Sequence, residues 1–178
     1  PPPKEKHVFS GILYHFGRGM AFAGLQKTSE AKAELASLRG FLKDSSLLIP
    51  YVPFSPLIES ALVAEGLLHG TIKMKDGDLN AAIDAFEKAA TREENMVYNE
   101  PRDWLLNPKH YLGNAYLKAG KTKEAKAVFE KDLKNNKENG WALSGIWQAL
   151  TKEKKTTEIA LLLARYKKAF YGADVKLG

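Results

Sequence analysis

A recurring pattern of small and apolar residues constrains the fold of this 178-residue chain more than any other feature. In three units a glycine is followed after 12 residues by an alanine, and after four more by a large apolar residue. These triplets are Gly19, Ala31 and Leu35; Gly70, Ala82 and Phe86; and Gly113, Ala125 and Phe129. A fourth triplet, Gly145, Ile159 and Leu163, has steps of 14 and four residues. Such self-similarity is typical of repeat architectures, in which neighbouring units bury each other's apolar faces.

Each unit has the signals of two consecutive helices. In the third unit Pro108 is suited to a first helical turn, and Gly120 is suited to the end of that helix. Thr122 can cap the second helix, with Glu124 in its first turn. The sequence therefore predicts an all-α fold of about eight helices in four hairpins, with two extra residues in the turn of the fourth unit.

The distances between units predict two insertions. The second-position residues Ala31, Ala82, Ala125 and Ile159 are separated by 51, 43 and 34 residues. We place the four units at residues 8–39, 57–94, 106–137 and 138–170, and the insertions at residues 40–56 and 95–105. Together they form a single predicted domain over residues 8–170, preceded by a linker at residues 1–7 and followed by a tail at residues 171–178.

The third unit resembles the tetratricopeptide repeat, whose period is 34 residues. The matching residues are Leu112, Gly113, Tyr116, Gly120, Ala125 and Phe129. The second and fourth units depart from the pattern, with Lys73 and Gln148 where an aromatic residue is expected. The resemblance implies a right-handed helical solenoid whose first helices line a concave groove that binds peptides or proteins. Residues 99–104 and 166–170 also resemble the end of a class of bacterial repeat proteins.

The composition argues against several classes of function. Cysteine is absent, which excludes disulfides, thiol nucleophiles and cysteine-ligated metal sites. No GxSxG, HExxH or Walker motif is present, so we expect a non-catalytic protein without a cofactor. The most apolar stretch, residues 47–58, is too short to span a bilayer, and we expect no membrane partner. A cytoplasmic location is favoured, although a cysteine-free chain suits other compartments as well.

The net charge of +6 raises the question of a nucleic-acid partner. Many of the positive charges are lysines between residues 118 and 137, but four acidic residues are interspersed among them: Glu124, Glu130, Asp132 and Glu138. Mixed charges of this kind favour a solvated helix face. We therefore predict no nucleic-acid binding.

The second insertion has the composition of a binding segment. Within residues 99–104 it combines two carboxylates with an arginine and a tryptophan, side chains that are frequent at binding hot spots. The alternative is a structural connection in which Trp104 is a hydrophobic plug. We predict that a protein or peptide partner contacts residues near the junction of the second and third units: His15, Glu100, Arg102, Trp104, His110 and Asn114.

Three further alternatives stay open at this point. His15, Glu100 and His110 could form a transition-metal site in an enzyme, although nothing in their spacing requires one. The domain could pack against upstream repeats of a longer chain. The apolar stretch at residues 47–54 either packs on the repeats or docks a partner.

Overall fold

The computed structural model describes residues 7–50, 52–100 and 102–173. Most of the predicted linker (residues 1–6) and of the predicted tail (residues 174–178) lies outside the described residues, as do Tyr51 and Pro101.

The regular elements of the described chain are all helices, and the predicted all-α fold of eight helices in four hairpins is confirmed. The helices are α1 (Val8–Gly24), α2 (Thr28–Phe41), α3 (Leu57–Lys75), α4 (Leu79–Asn95), α5 (Pro108–Lys118), α6 (Thr122–Asn135), α7 (Gly140–Lys152) and α8 (Thr156–Ala169). A short 3-10 helix, Ser45–Leu48, lies in the first insertion. Among the described residues, none of the helices is both long and apolar enough to cross a membrane.

All four hairpins close with the same turn. A residue in the left-handed backbone conformation follows each first helix: Gln26, Gly77, Gly120 and Lys154, with φ between 58° and 83°. The next backbone N–H donates to the carbonyl five residues earlier, as Lys121 does to Tyr116 at 2.9 Å and Lys155 does to Leu150 at 3.0 Å. This is the Schellman arrangement, which satisfies carbonyl groups at the end of a helix.

This common turn corrects the predicted register of the fourth unit. Lys154 precedes Ile159 by five residues, just as Gly120 precedes Ala125, so the fourth turn contains no extra residues. The residue equivalent to Gly113, seven positions before the turn residue, is therefore Trp147 and not Gly145. The first step of the fourth triplet is two residues longer because Gly145 lies two positions before Trp147, the residue equivalent to Gly113.

Contacts divide the chain into two compact units, residues 1–108 and residues 109–178. In the first unit α3 is the central helix, because α1, α2 and α4 all pack against it. Nine of its residues are buried: Ser60, Ala61, Val63, Ala64, Gly66, Leu67, Leu68, Gly70 and Ile72. A helix that is apolar on most sides is suited to such a central position.

The two insertions pack against each other within the first unit. The backbone N–H of Ser55 donates to the Asp103 carboxylate at 3.1 Å, and the Ser55 hydroxyl accepts from the Val97 N–H at 2.8 Å. Ser55 is itself buried. These hydrogen bonds join segments more than 40 residues apart, a pairing that no sequence pattern predicts.

In the second unit the core forms around Phe129 on α6. The tip of its ring lies against Gly113 on α5 and against Gly145 on α7. A Cβ atom added to either glycine would come within 2.3 Å of this ring. The nearest neighbour of Gly113 is therefore Phe129 rather than its repeat partner Ala125, and two glycines make room for one aromatic side chain.

We expect Gly113→Ala to destabilise the protein by about 1–3 kcal/mol, because the added methyl group overpacks a ring that Gly145 already confines. The free energy of unfolding from urea denaturation measures the effect. The matched control is Gly17→Ala in α1, where an added Cβ has open space around it. That change should stabilise the protein by roughly 0.5–1 kcal/mol through helix propensity. Equal effects of the two substitutions would contradict the packing around Phe129.

Candidate functional site

The six predicted partner-binding residues are divided between the two compact units. His15, Glu100, Arg102 and Trp104 belong to the first unit, and His110 and Asn114 belong to the second. Within each unit their surroundings can be compared with the role that the sequence predicts for them.

Trp104 is a buried residue of the first unit. Its side chain is only 8% exposed, and its ring packs edge-on against Phe16 of α1, with centroids 5.3 Å apart. The indole Nε1–H makes no hydrogen bond within the part of the chain that the structure describes. The burial matches the alternative of a hydrophobic plug, and the unpaired donor is an uncommon feature with a cost in stability.

Glu100 and Arg102 lie on the second insertion, closer to solvent than Trp104. The Arg102 guanidinium is 3.3 Å from Glu93 of α4, which ties the insertion to the preceding helix. Glu100 is exposed and accepts a hydrogen bond from the Tyr98 hydroxyl. This hydrogen bond raises the pKa of the Tyr98 phenol, because it stabilises the protonated form.

His15 belongs to a polar cluster that joins α1 and α2. Its Nδ1 atom lies 2.6 Å from the Glu34 carboxylate, and Arg18 Nε donates to the same carboxylate at 2.8 Å. Arg18 also donates to the Tyr14 hydroxyl at 3.0 Å. The ring of His15 packs against Phe41, where it lines a shallow pocket of about 440 Å³. His15 is thus engaged inside its own hairpin.

The buried carboxylate of Glu34 is held in its charged form. Burial raises its pKa, but hydrogen bonds from His15 and Arg18, together with the charge of Arg18, outweigh burial and hold the pKa below its ordinary value. Because these partners come from α1, the ionised carboxylate stabilises the first hairpin.

His110 belongs to a second buried network, centred on Asp132 of α6. The Asp132 side chain is fully buried, at 0% exposure, which corrects its predicted place on a solvated face. His110 Nε2 lies 3.1 Å from Asp132 Oδ2, and the amides of Asn136 and Asn139 donate to the carboxylate at 2.6 and 2.9 Å. The repeat register explains the burial, since Leu38 and Ala89 occupy the equivalent positions and are also buried.

Asn139 connects His110 and Asp132 to the start of α7. Asn139 Oδ1 accepts from the Trp141 N–H at the start of α7, so its amide nitrogen must face Asp132 as a donor. His110 Nε2 lies 3.1 Å from both Asp132 Oδ2 and Asn139 Nδ2, so this ring nitrogen faces the network. Nδ1 is left as the ring nitrogen that can contact a partner.

Asn114 is exposed and lies one helical turn after His110 on α5. Residues four positions apart share one face of a helix. The structure therefore brings these two predicted residues together, with His110 anchored and Asn114 open to solvent.

The predicted metal-site alternative has no structural counterpart in the described residues. No three His, Asp or Glu side chains within residues 7–50, 52–100 and 102–173 are grouped as metal ligands would be. His15 and His110 are instead each paired with a carboxylate of their own unit.

The first unit also contains a polar cleft that no sequence pattern predicts. The cleft has a volume of about 890 Å³ and lies among α2, α3 and α4, with His69 and Arg39 in its lining. Burial, and then the nearby charge of Arg39, lower the pKa of His69, so its imidazole is held in the neutral form. Arg39 is paired with Glu65 at 2.8 Å. The cleft lies between α2 and α4, which both pack on α3, so it exists only in the tertiary structure.

The joined insertions carry a surface that we call the insertion surface. It consists of eight large apolar side chains that remain exposed: Leu48, Ile49, Val52, Phe54, Val97, Tyr98, Leu105 and Leu106. Val52 and Leu105 are 86% and 82% exposed, whereas Leu47 is buried against the repeats. Among its described residues, the apolar stretch thus buries Leu47 against the repeats and exposes most of the others. The sequence shows that residues 47–54 are apolar, but it does not show that the first insertion is hydrogen-bonded to the second.

We expect the stabilising effect of Glu34 to disappear in acid. Because its pKa is lowered in the folded state, its contribution is complete above the ordinary value of 4.5 and is lost as the pH falls through the folded-state pKa. The difference in unfolding free energy between the wild type and Glu34→Gln should therefore be largest at neutral pH and shrink below about pH 4.5. Exposed Glu30, tested as Glu30→Gln, is the control. A difference that stays constant from neutral to acid pH would contradict the role of Glu34.

We expect Asp132→Ala to cost about 3 kcal/mol of unfolding free energy, because the substitution leaves the half-buried polar groups of His110, Asn136 and Asn139 without the carboxylate that they contact. Thermal or urea denaturation measures this cost. The control is exposed Glu130→Ala on the same helix, which should change stability by less than roughly 0.5 kcal/mol. If the two variants were equally stable, Asp132 would not be the centre of a structural network.

Comparison with known families agrees with the observed hairpins. The sequence model of the tetratricopeptide repeat family matches residues 67–96 and residues 110–139. The two matches begin 43 residues apart, the same separation as the turn residues Gly77 and Gly120. No match was found among curated proteins. Two segments of the chain therefore match the tetratricopeptide repeat, one in each compact unit.

Proposed function

We propose that this chain is a non-catalytic module that binds a protein or peptide partner. Tetratricopeptide repeats are generally scaffolds for protein interactions, and two of them match here. The observation that carries the proposal is the concentration of exposed apolar side chains on the insertion surface.

An exposed apolar surface of this kind favours a polypeptide partner. Single exposed apolar residues are common on soluble proteins, whereas contiguous groups of them mark interaction sites. Burying one such side chain in an interface stabilises the complex by about 1.5–3 kcal/mol, so even three of them can decide whether a complex forms.

The hydrogen bonds beneath the insertion surface support the same proposal. Ser55 binds both Val97 and Asp103, and Ser60 donates to the Asp103 carbonyl at 3.5 Å. These contacts hold both insertions in one arrangement before a partner arrives. A preorganised surface loses less conformational freedom on binding, and more of the contact energy then appears as affinity.

The predicted partner-binding residues take different parts in this proposal. Glu100 and Arg102 are on the second insertion, beside the apolar side chains, where they can form the polar rim of an interface. Asn114 is exposed on α5, and His110 presents Nδ1 from its anchored ring. Trp104 and His15 support the scaffold from within.

We expect the triple variant Ile49→Ser, Val52→Ser and Leu105→Ser to lose partner binding. Affinity capture with the full-length protein from its own cell extract, followed by quantitative mass spectrometry, identifies the proteins that the wild type enriches. The affinity of the most enriched protein is then measured by calorimetry. It should fall at least roughly tenfold in this variant, because three anchors are truncated.

The matched control is the triple variant Leu25→Ser, Leu161→Ser and Tyr171→Ser, which removes equally exposed apolar side chains outside the insertions. It should bind the same protein within about twofold of the wild type, since scattered surface residues contribute little. Circular dichroism confirms that both variants are folded. Unchanged affinity in the insertion variant would refute the proposal.

A further inference from the structure

The positive charge of the protein is concentrated in the second unit. Residues 109–178 contain 15 lysine and arginine residues and seven acidic residues, a net charge of +8. Residues 1–108 contain 12 basic and 14 acidic residues, a net charge of −2. The second unit thus carries a strong field of one sign, whereas the first is nearly neutral.

Two hairpin turns of the second unit lie side by side. The Thr122 hydroxyl, at the start of α6, donates to the Glu153 carboxylate in the α7–α8 turn at 2.6 Å. Lys126 donates to Glu158 of α8 at 3.0 Å. These two contacts hold the α5–α6 turn and the α7–α8 turn together at one end of the unit.

Six exposed lysines surround these turns, and we call them the lysine end: Lys118, Lys121, Lys123, Lys152, Lys154 and Lys155. Lys155 is paired with Glu158 at 3.4 Å, and Lys121 lies over the ring of Tyr116 at 5.9 Å. The other four have no ion-pair partner among the residues that the structure describes.

The acidic residues nearby leave much of this charge unbalanced. With Lys126 included, residues 118–126 and 152–158 contain seven lysines and three glutamates, a net charge of +4. Two of the glutamates are already engaged, Glu153 by Thr122 and Glu158 by Lys126. The uncompensated cations raise the local concentration of anionic groups and speed their association.

We propose that the lysine end docks an acidic stretch of a partner polypeptide. The complementarity of charge is the basis, because four unpaired and exposed ammonium groups can each meet a carboxylate without breaking an existing ion pair. This inference goes beyond the insertion surface, which belongs to the other unit and is apolar. The two proposals can therefore be tested separately.

The side chains at the lysine end favour a polypeptide over a nucleic acid. Proteins that bind single-stranded nucleic acids combine cations with aromatic rings on which bases stack. The aromatic ring identified at this end, Tyr116, is already covered by Lys121. Arginine, which holds phosphate through two parallel hydrogen bonds, occurs in residues 109–178 only as Arg165, and that residue is paired with Glu138. Lysines on flexible stems instead suit carboxylates at irregular spacing.

The test uses fluorescence anisotropy with three labelled probes: a short glutamate-rich peptide, its glutamine counterpart, and an oligothymidylate of the same net charge as the first. The full chain should bind the glutamate peptide and not the glutamine peptide, and added salt should weaken binding. The variant Lys118→Gln, Lys123→Gln, Lys152→Gln and Lys154→Gln should bind the glutamate peptide roughly tenfold more weakly or worse.

The control variant removes the same number of charges from exposed lysines of the same unit, at the opposite ends of α6 and α8: Lys134→Gln, Lys137→Gln, Lys167→Gln and Lys168→Gln. It should stay within about twofold of the wild type, because these charges lie roughly 15 Å or more along the helices from the two turns, beyond the screening length of about 10 Å. The proposal is overturned if both variants lose affinity equally, if the oligothymidylate binds more tightly than the peptide, or if no probe binds. The insertion variant should bind the glutamate peptide normally, so a failure here does not bear on the apolar surface.

Discussion

Close approach between the two helices of a hairpin is the constraint on which this structure depends. In two hairpins an aromatic side chain on the second helix packs directly against a glycine on the first. Phe86 packs against Gly70, and Phe129 packs against Gly113. Any side chain in place of the glycine would collide with the ring, because the space is already filled at the density of a protein interior. In the second unit Gly145 extends the arrangement to the next hairpin, so one ring connects three helices.

Polar groups occupy positions inside this framework that a simple repeat fills with apolar side chains. Asp132 stands where Ala89 stands in the second hairpin, and both are buried. A buried carboxylate is costly unless polar partners surround it, and His110, Asn136 and Asn139 supply them. The network orients His110, so a structural residue in α6 decides which nitrogen the histidine on α5 presents.

The two units present surfaces of different chemistry. The first exposes apolar side chains on two insertions that share hydrogen bonds through Ser55, and it also contains the cleft around His69. The second exposes lysines at two adjoining turns, which Thr122 and Glu153 connect. Apolar contact supplies affinity, while unbalanced charge supplies orientation and rapid association. Under the two proposals, a partner that carries both an apolar and an acidic surface is favoured over a partner that carries one of them.

The sequence by itself determined the all-α hairpins and the two segments that match the tetratricopeptide repeat, because the spacing of Gly113, Ala125 and Phe129 reflects local helix geometry and a fixed turn length. It could not fix the register of the fourth unit, since Gly145 and Trp147 lie on one helix and only the turn residue Lys154 tells them apart. Tertiary structure alone decided which polar groups surround Asp132 and how the insertions are joined. Both depend on contacts between residues distant in sequence, which composition and periodicity do not encode.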